Sequence, residues 1–454
     1  RAMPWCSRCE TSLSQHEMLE TYYEVTHKAV YVRFPIKERP GESLLVWTTT
    51  PWTLLANVAA AVHPELEYLR IQAGEHILIV GAETVHRVGT EGKDYRVVGK
   101  CFGKDLLGLH YDGPFDDLEA GKNIDHRVIA WDMVGSQEGT GIVHIAPGCG
   151  QEDFELSGLE NLPIIQPVDE TGTYLEGFGE FTGKRVQDVQ QAIFADLKRK
   201  GVWFKTESYT HRYPSCWRCG EELIFRLVDE WFISSAEIRP QMREANSKVR
   251  WVPSHIQKRM DDWLVNMGDW CISRKRYWGL PLPFYPCKVC GHLNVIGSLK
   301  ELRERATEPF DLPELHRPWI DAVKIRCEKC GETVARITDV GDCWLDAGIV
   351  PFSTMKYFED REYWKDWFPA DLVLEMRAQL RCWFYSLLFM SVALEKTAPY
   401  KCVMTHEKVL AEDGREMHKS WGNAIWFDEA VEKMGPDVVR WMYLGQATTE
   451  PLRF

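Results

Sequence analysis

The sequence has no apolar run near the ~18 residues that a membrane span needs, so no membrane partner is expected. No secretory leader is expected, since it opens RAMPWCSRC, already inside a cysteine pair. It has no initiator Met and so reads as a fragment or a trimmed chain. It also has no excess of basic charge. A formal net charge of −13 gives a whole-chain field that repels phosphate, so a nucleic-acid face would have to be local. Cysteine is not dense: fourteen in 454 residues excludes a disulfide scaffold. Eight of them fall in four CxxC pairs, which reads as metal in a reducing, cytoplasmic compartment.

What is present is a globular composition, 45% apolar and 27% charged, long enough for two to four domains. Cys6 and Cys9 open the chain, and their expected mates are Cys216 and Cys219. Two such knuckles complete a tetrahedral zinc site, and a domain-sized insertion between them makes a split zinc ribbon. Unligated thiols or a redox pair are the alternatives. Cys287, Cys290, Cys327 and Cys330 form a second set. The interval 291–326 exceeds the usual ~15–20 residues, so a helical insert (LKELRERA) is expected inside it. The remaining cysteines, Cys101, Cys149, Cys271, Cys343, Cys382 and Cys402, read as buried small residues.

Residues 28–205 carry short strands (AVYVRFPI, SLLVWTTT, EYLRIQ, HILIVG, YRVVG) separated by Gly, Pro and charged turns. That rhythm predicts a β-barrel or sandwich. One helix is marked by Val186, Val189, Ile193, Phe194 and Leu197, with Gly201 as its stop. Within the insertion, Leu44–Ala60 reads LLVWTTTPWTLLANVAA. Thr48, Thr49, Thr50 and Thr53 crowd where a strand ends, and Asn57 follows. They make either the floor of a polar pocket or a strand that is simply rich in Thr. A second stretch, GTGIVHIAPGCGQEDFE, carries His144 at a strand end and Asp153 after a Gly-Cys-Gly turn. Read singly, these are a structural histidine and a helix-capping or exposed acid.

TTTPWTL with Ala56-Asn57 resembles the threonine-rich signature of the editing domain of isoleucyl-tRNA synthetases, whereas valyl- and leucyl-type relatives carry TTRPE or TTRPD. The resemblance implies that Thr48, Thr49, Thr50, Thr53 and Asn57 hold the ester, the terminal ribose and a water. It implies that Asp153 pairs with the α-amino group and that His144 sets the pocket's size. Such a site answers an energetic limit. One methylene discriminates valine from isoleucine by only ~1–3 kcal/mol, the long-established figure for this very pair.

Farther on, Ser273-Arg274-Lys275-Arg276-Tyr277-Trp278-Gly279 resembles the family's ISRQRYWG segment, with a solvated basic turn as the plain reading. Asp342–Gly348 resembles DVWFDSG. Asp371–Glu375 reads as a short buried strand ending in an acid, either at the edge where α/β sheets bind ligands or as a cap of the next helix. The following segment resembles EGxDQxRGWF, with Met376, Ala378 and Cys382 as departures. It implies that Glu375 and Gln379 contact the aminoacyl-adenylate and that Trp383 lines the amino-acid pocket. Glu416-Met417-His418-Lys419-Ser420 resembles the KMSKS loop, whose lysines neutralise a triphosphate, with a loop before a helix capped at Asp428 as the plain reading. Lys419 is kept, Glu416 replaces the first lysine, and His418 adds charge below about pH 6.5. No HxGH occurs.

The expected architecture is therefore α/β and multidomain, a β-barrel editing domain inserted through a zinc ribbon into a Rossmann-like catalytic domain. Its expected segments are a first ribbon part (1–27), the editing domain (28–205), a second ribbon part (206–228) and a catalytic-core segment (229–286). A second knuckle (287–335), the rest of the Rossmann-like domain with its loop (336–428) and the start of a helical stem-contact region (429–454) complete it. The resemblance implies ATP-dependent charging of tRNA(Ile) with isoleucine and hydrolysis of valyl-tRNA(Ile). Two structural zinc ions, ATP with Mg2+, isoleucine, valine and tRNA(Ile) are the implied ligands, with the HIGH-bearing half absent or supplied by another polypeptide. A degenerate paralogue that binds tRNA or a partner without catalysis, and a zinc-stabilised structural module, are the competing readings.

Overall fold

The computed structural model describes residues 1–13, 15–18, 21–419 and 422–454. The chain divides into two compact units, Arg1–Asp229 and Glu230–Phe454, next to the boundary expected at 228/229. No helix among the described residues is long and apolar enough to cross a membrane.

In the first unit, Ala2–Cys6 pairs with Ile224–Leu227 on one side and with Thr11–Ser12 on the other. That small sheet closes the unit's two ends on each other. The insertion forms a six-stranded sheet in the order Trp203–Pro214, Tyr22–Pro35, Glu42–Thr48, His76–Gly81, Glu67–Ala73, Arg96–Phe102. A three-stranded sheet, Val143–Ile145, Ala59–Val62, Arg127–Ala130, lies beside it. The apolar faces meet in a core that includes Val30, Val46, Ala60, Ile142 and Ile193.

Two expectations are corrected here. The larger sheet ends in two edges, Trp203–Pro214 and Arg96–Phe102, so it is an open sheet rather than a closed barrel. Closure depends on tilt and stagger, which strand rhythm does not encode. The boundaries at 27/28 and 205/206 also fall inside strands. Tyr22–Pro35 and Trp203–Pro214 run as one antiparallel ribbon from Tyr22↔Pro214 to Val32↔Trp203. Alternating His, Tyr and Thr along it bury one face at a time.

The second unit holds a parallel three-stranded sheet, Arg250–Val252, Cys402–His406, Val373–Met376. Trp383–Glu395 is a nearly all-apolar helix, and its Phe384, Leu388 and Val392 anchor the core with Trp251 and Met260. Val373–Met376 is an edge strand, and Leu372 and Leu374 are 55% and 53% exposed. The expectation of a buried strand there was wrong, because only one side of it is paired. Two hairpins, Phe284–Pro286 with Leu293–Val295 and Lys324–Arg326 with Thr333–Ala335, each carry a CxxC in their turn. The expected insert is the helix Leu299–Arg305, N-capped by Ser298, whose hydroxyl accepts from the Glu301 N–H at 3.1 Å.

Candidate functional site

The hydroxyl-rich strand Glu42–Thr48 stops because Pro51 opens a short 3₁₀ turn, Pro51–Ala56. Thr48 Oγ1 accepts from the Thr50 N–H at 3.1 Å, which folds the chain back into that turn. Thr53 Oγ1 donates to the Thr50 carbonyl at 2.9 Å. Its one hydrogen is then used, so the contact from Thr53 Oγ1 to His144 Nε2 at 2.9 Å has the imidazole as donor. His144 is thereby the Nε2–H tautomer. Its Nδ1 is buried and has no hydrogen-bond partner among the described residues. Burial pushes this imidazole down to about 4, so it is neutral at pH 7. The structure thus joins the two motif stretches at Thr53 and His144.

Asp153 is the third residue of the helix Gln151–Glu160. It neither caps the helix nor stands exposed. Its Oδ2 accepts from the Ala146 N–H at 2.7 Å, back across the Gly148-Cys149-Gly150 turn. The turn packs so tightly that a Cβ on Gly148 would lie 1.9 Å from the Ile165 carbonyl oxygen. Burial pushes the Asp153 carboxyl up to about 6.

Asn57 takes a role that the sequence did not indicate. Only 3% exposed, it donates to the carbonyls of Ala59 at 2.9 Å and Ile145 at 3.5 Å. Its Oδ1 accepts from the Tyr111 hydroxyl at 2.7 Å. Both amide hydrogens are therefore used inside the fold, and Asn57 fixes the end of the His144 strand instead of facing a ligand. Tyr111→Phe leaves that buried Oδ1 without its donor. A loss of about 1–3 kcal/mol in urea unfolding of the full chain is the expected result, and no loss would mean that the bond is not held in solution.

Thr49 and Thr50, with Trp52, also border a hollow of about 210 Å³. His27, Tyr213 and Glu222 line it as well, and Asp153 does not. The structure therefore brings His144 to the hydroxyl turn but does not bring Asp153 to this hollow.

The eight paired cysteines gather into two sets, Cys6, Cys9, Cys216, Cys219 and Cys287, Cys290, Cys327, Cys330. Within each, the sulfurs lie within 4.8 Å of one another. Cys6 to Cys219 and Cys287 to Cys330 are both 3.5 Å, and Cys290 to Cys327 is 3.7 Å. Sulfurs at ~2.3 Å from a tetrahedral centre are spaced by about 3.8 Å, so each set could hold one metal ion. Burial pushes the Cys6 thiol up, so a thiolate there needs a cation beside it. Three knuckle turns close on a glycine in the left-handed region, Gly220, Gly291 and Gly331, while the first uses Glu10 at φ 51°. Of the other cysteines, Cys343 is exposed and Cys101 and Cys402 are half-buried. They correct the expectation that all six are buried, because single cysteines carry no positional signal.

In the second unit, Arg274 is no solvated basic residue. It is 2% exposed and its Nη2 meets Asp342 Oδ2 at 3.0 Å. Residues Ser273–Arg274 pair with Val340–Gly341, so two family-like motifs are joined side by side. Trp383 donates from Nε1 to the Ala347 carbonyl at 3.0 Å, tying the helix Trp383–Glu395 to the helix Cys343–Ser353. Gln379 Oε1 accepts from the Trp383 N–H at 3.2 Å, and Glu375 Oε2 accepts from the Met376 N–H at 2.6 Å. Glu375, at the end of its strand, and Gln379, in the 3₁₀ turn Arg377–Arg381 that follows, are thus each held by the local backbone. In the loop, Lys408 pairs with Glu416, which removes the repulsion that a lone Glu416 would exert on phosphate. Asn423 braces the loop, accepting from the His418 N–H and donating to the Glu416 carbonyl, both at 2.8 Å. Lys419 Nζ lies 4.9 Å from the centre of the Trp426 ring. Ser420 lies outside the described residues.

The family model of class I tRNA synthetases (I, L, M and V) matches residues 1–453. The chain belongs to that family. This synthetase chain is 39% identical over 456 residues to an isoleucine--tRNA ligase of Sulfolobus acidocaldarius, which covers 99% of the chain and 43% of the relative. It is 40% identical over 448 residues to that of Methanothermobacter thermautotrophicus, covering 98% and 42%, and 41% identical over 448 residues to that of Bacillus thuringiensis, covering 98% and 43%. The synthetase chain thus spans about two fifths of the length of these relatives. Among solved structures, the LeuRS of Agrobacterium radiobacter K84 in a ternary complex with tRNA and LeuAMS aligns with all of the chain at 15% identity and a TM-score of 0.37, covering 55% of that protein.

Proposed function

We propose that the chain is part of an isoleucine--tRNA ligase of the cytoplasm, and that its first unit hydrolyses valyl-tRNA(Ile). The hydrogen bond between Thr53 and His144 carries this reading. It puts a neutral imidazole beside a turn of hydroxyls. Such a site can orient a water against an aminoacyl ester, which is already activated and needs no metal. Asp153 supplies the counter-charge for the α-ammonium group once the ester enters, and His144 limits the side chain admitted. The second unit contributes Glu375, Gln379 and Trp383 to the adenylate and amino-acid site, and His418, Lys419 and Ser420 to the triphosphate. Adenylate formation from isoleucine, ATP and Mg2+ also needs the HIGH-bearing half. The paired Lys408 and Glu416 favour a working loop over a degenerate one.

The test is release of valine from valyl-tRNA(Ile) by the full chain. Release is expected, and Asp153→Ala is expected to remove it. No release above that variant would overturn the hydrolytic reading. The two cysteine sets are proposed to hold structural zinc. Chelation of the zinc-loaded chain should release two zinc ions per chain and unfold the 287–335 hairpins without touching the hydroxyl turn. A stoichiometry below one would refute both sites.

A further inference from the structure

The two cysteine sets differ in their reach to solvent. In the first, Cys6 and Cys216 are buried and Cys9 and Cys219 half-buried, so none is exposed. In the second, Cys287 and Cys327 are 2% exposed, Cys290 is half-buried and Cys330 stands open to solvent. The Cys330 Sγ lies 3.5 Å from that of Cys287, on the other knuckle. An exposed thiolate with a second thiolate in contact is the arrangement that a hydroperoxide oxidises to a disulfide.

The hairpin that carries Cys330 is tied at both ends to the 273–279 segment and its surroundings. Asp321 precedes its first strand, Lys324–Arg326, and Arg336 follows its second, Thr333–Ala335. These two side chains form an ion pair with each other. Arg336 Nη1 also donates to the carbonyls of Leu282 at 3.0 Å and Asp339 at 2.9 Å. Asp321 Oδ2 accepts from Arg317 Nε at 2.9 Å, and Arg317 Nη1 donates to the Arg276 carbonyl at 3.2 Å. The same guanidinium is 5.2 Å from the centre of the Tyr277 ring, and His316 stacks on Trp278 with ring centres 4.5 Å apart. Tyr277 and Trp278 are 61% and 64% exposed even so, so little else packs on either ring.

Resting on the zinc reading, we propose that Cys330 is an oxidation site for hydroperoxides and that its oxidation frees the 273–279 segment. The Cys330 thiolate attacks one peroxide oxygen, the O–O bond breaks, a hydroxide leaves and a sulfenic acid forms. The Cys287 thiolate then attacks that sulfur and a second hydroxide leaves. Two thiolates have given two electrons to the peroxide and become one disulfide. Cys290 and Cys327 alone no longer make a four-sulfur site. The hairpin loosens, and the ties through Asp321 and Arg336 loosen with it. The first set, with no exposed sulfur, is spared.

The test treats the zinc-loaded full chain with hydrogen peroxide and reads zinc release with a metal-binding dye. One ion per chain should leave at least tenfold faster than the other. Peptide mapping should find Cys287 joined to Cys330, and hydrogen exchange should rise in 273–279 but not in Ala2–Cys6. Cys330→His keeps a zinc ligand and removes the oxidisable sulfur, so it should slow the fast release at least tenfold. Asp321→Asn should raise exchange in 273–279 without peroxide while both ions stay bound. Loss of both ions at one rate, or a fast ion drawn from the first set, would overturn the oxidation site. A mapped disulfide with unchanged exchange in 273–279 would overturn the coupling. If Cys330→His does not hold zinc, the release rates and the mapped disulfide of the unsubstituted chain decide. A chain that loads fewer than two ions fails the zinc reading itself, whereas one that loads two and keeps both in peroxide fails this inference alone.

Discussion

Asp153→Asn is expected to stabilise the first unit at pH 8 by up to about 3 kcal/mol while cutting valine release on the order of 100-fold. The carboxyl ordinarily titrates at 3.8, and in the folded chain burial pushes it up to about 6. The folded state therefore holds the proton more tightly than the unfolded state does. Its contribution to stability is fully present below about pH 3.8 and is lost as pH rises through about 6. At pH 8 the folded chain carries a charge that it would shed if it could. Asparagine keeps an oxygen for the Ala146 N–H, now 2.7 Å away, and removes the charge. The gain should therefore be largest at pH 8, shrink through pH 6 and vanish near pH 4. Urea unfolding of the full chain, read by hydrogen exchange in the helix Gln151–Glu160, measures it. A variant no more stable than the parent at pH 8 would mean that the carboxylate is well solvated, and the ammonium partner would then have to be another acid. A group that costs stability and is needed for activity is the expected signature of a binding residue.

Local features are legible in the sequence. A CxxC turn is a four-residue structure, and all four are turns that gather thiols, as their spacing implies. The helix Gln190–Arg199 follows from its apolar spacing. What the sequence cannot show depends on partners far along the chain. Asn57 looks like a pocket residue because its use depends on Tyr111 and Ile145, distant positions that no local pattern links to it. Glu222 follows a knuckle and bridges to Ser215, and only long-range pairing brings His27 against it. Leu374 alternates like a buried strand residue, yet its strand is paired on one side only. Lys408 and Glu416 are close in sequence and can be matched by sign, since a loop that replaces a lysine by an acid calls for a nearby cation.

The same long-range logic makes Arg274 a sensitive polar residue of the second unit. Arg274→Met should cost about 3–5 kcal/mol, because it leaves the Asp342 carboxylate buried without this counter-ion. Both side chains are 2% exposed, so water cannot take the place of the lost partner. The Trp270 Nε1–H, 3.1 Å from Oδ2, and the Trp344 N–H, 3.3 Å from Oδ1, still donate to the carboxylate, but neither carries a charge to balance it. The guanidinium does more than neutralise: its Nη1 also donates to the carbonyls of Cys271 at 3.0 Å and Ser273 at 2.8 Å. Asp342→Asn reverses the problem, leaving a cation buried, although an amide can still cap the helix Cys343–Ser353. The double variant Arg274→Met, Asp342→Asn removes both charges and should recover most of the loss, since a buried pair is worth little net against neutral groups of similar size. Hydrogen exchange in Cys343–Ser353 reads the effect and also its reach, because the carbonyl of Ala347 in that helix holds the indole of Trp383. If the two single variants each lose less than 1 kcal/mol, or if the double variant loses their sum, the pair is not the clamp that fixes Trp383, and the backbone pairing of Ser273–Arg274 with Val340–Gly341 holds the two motifs together without it.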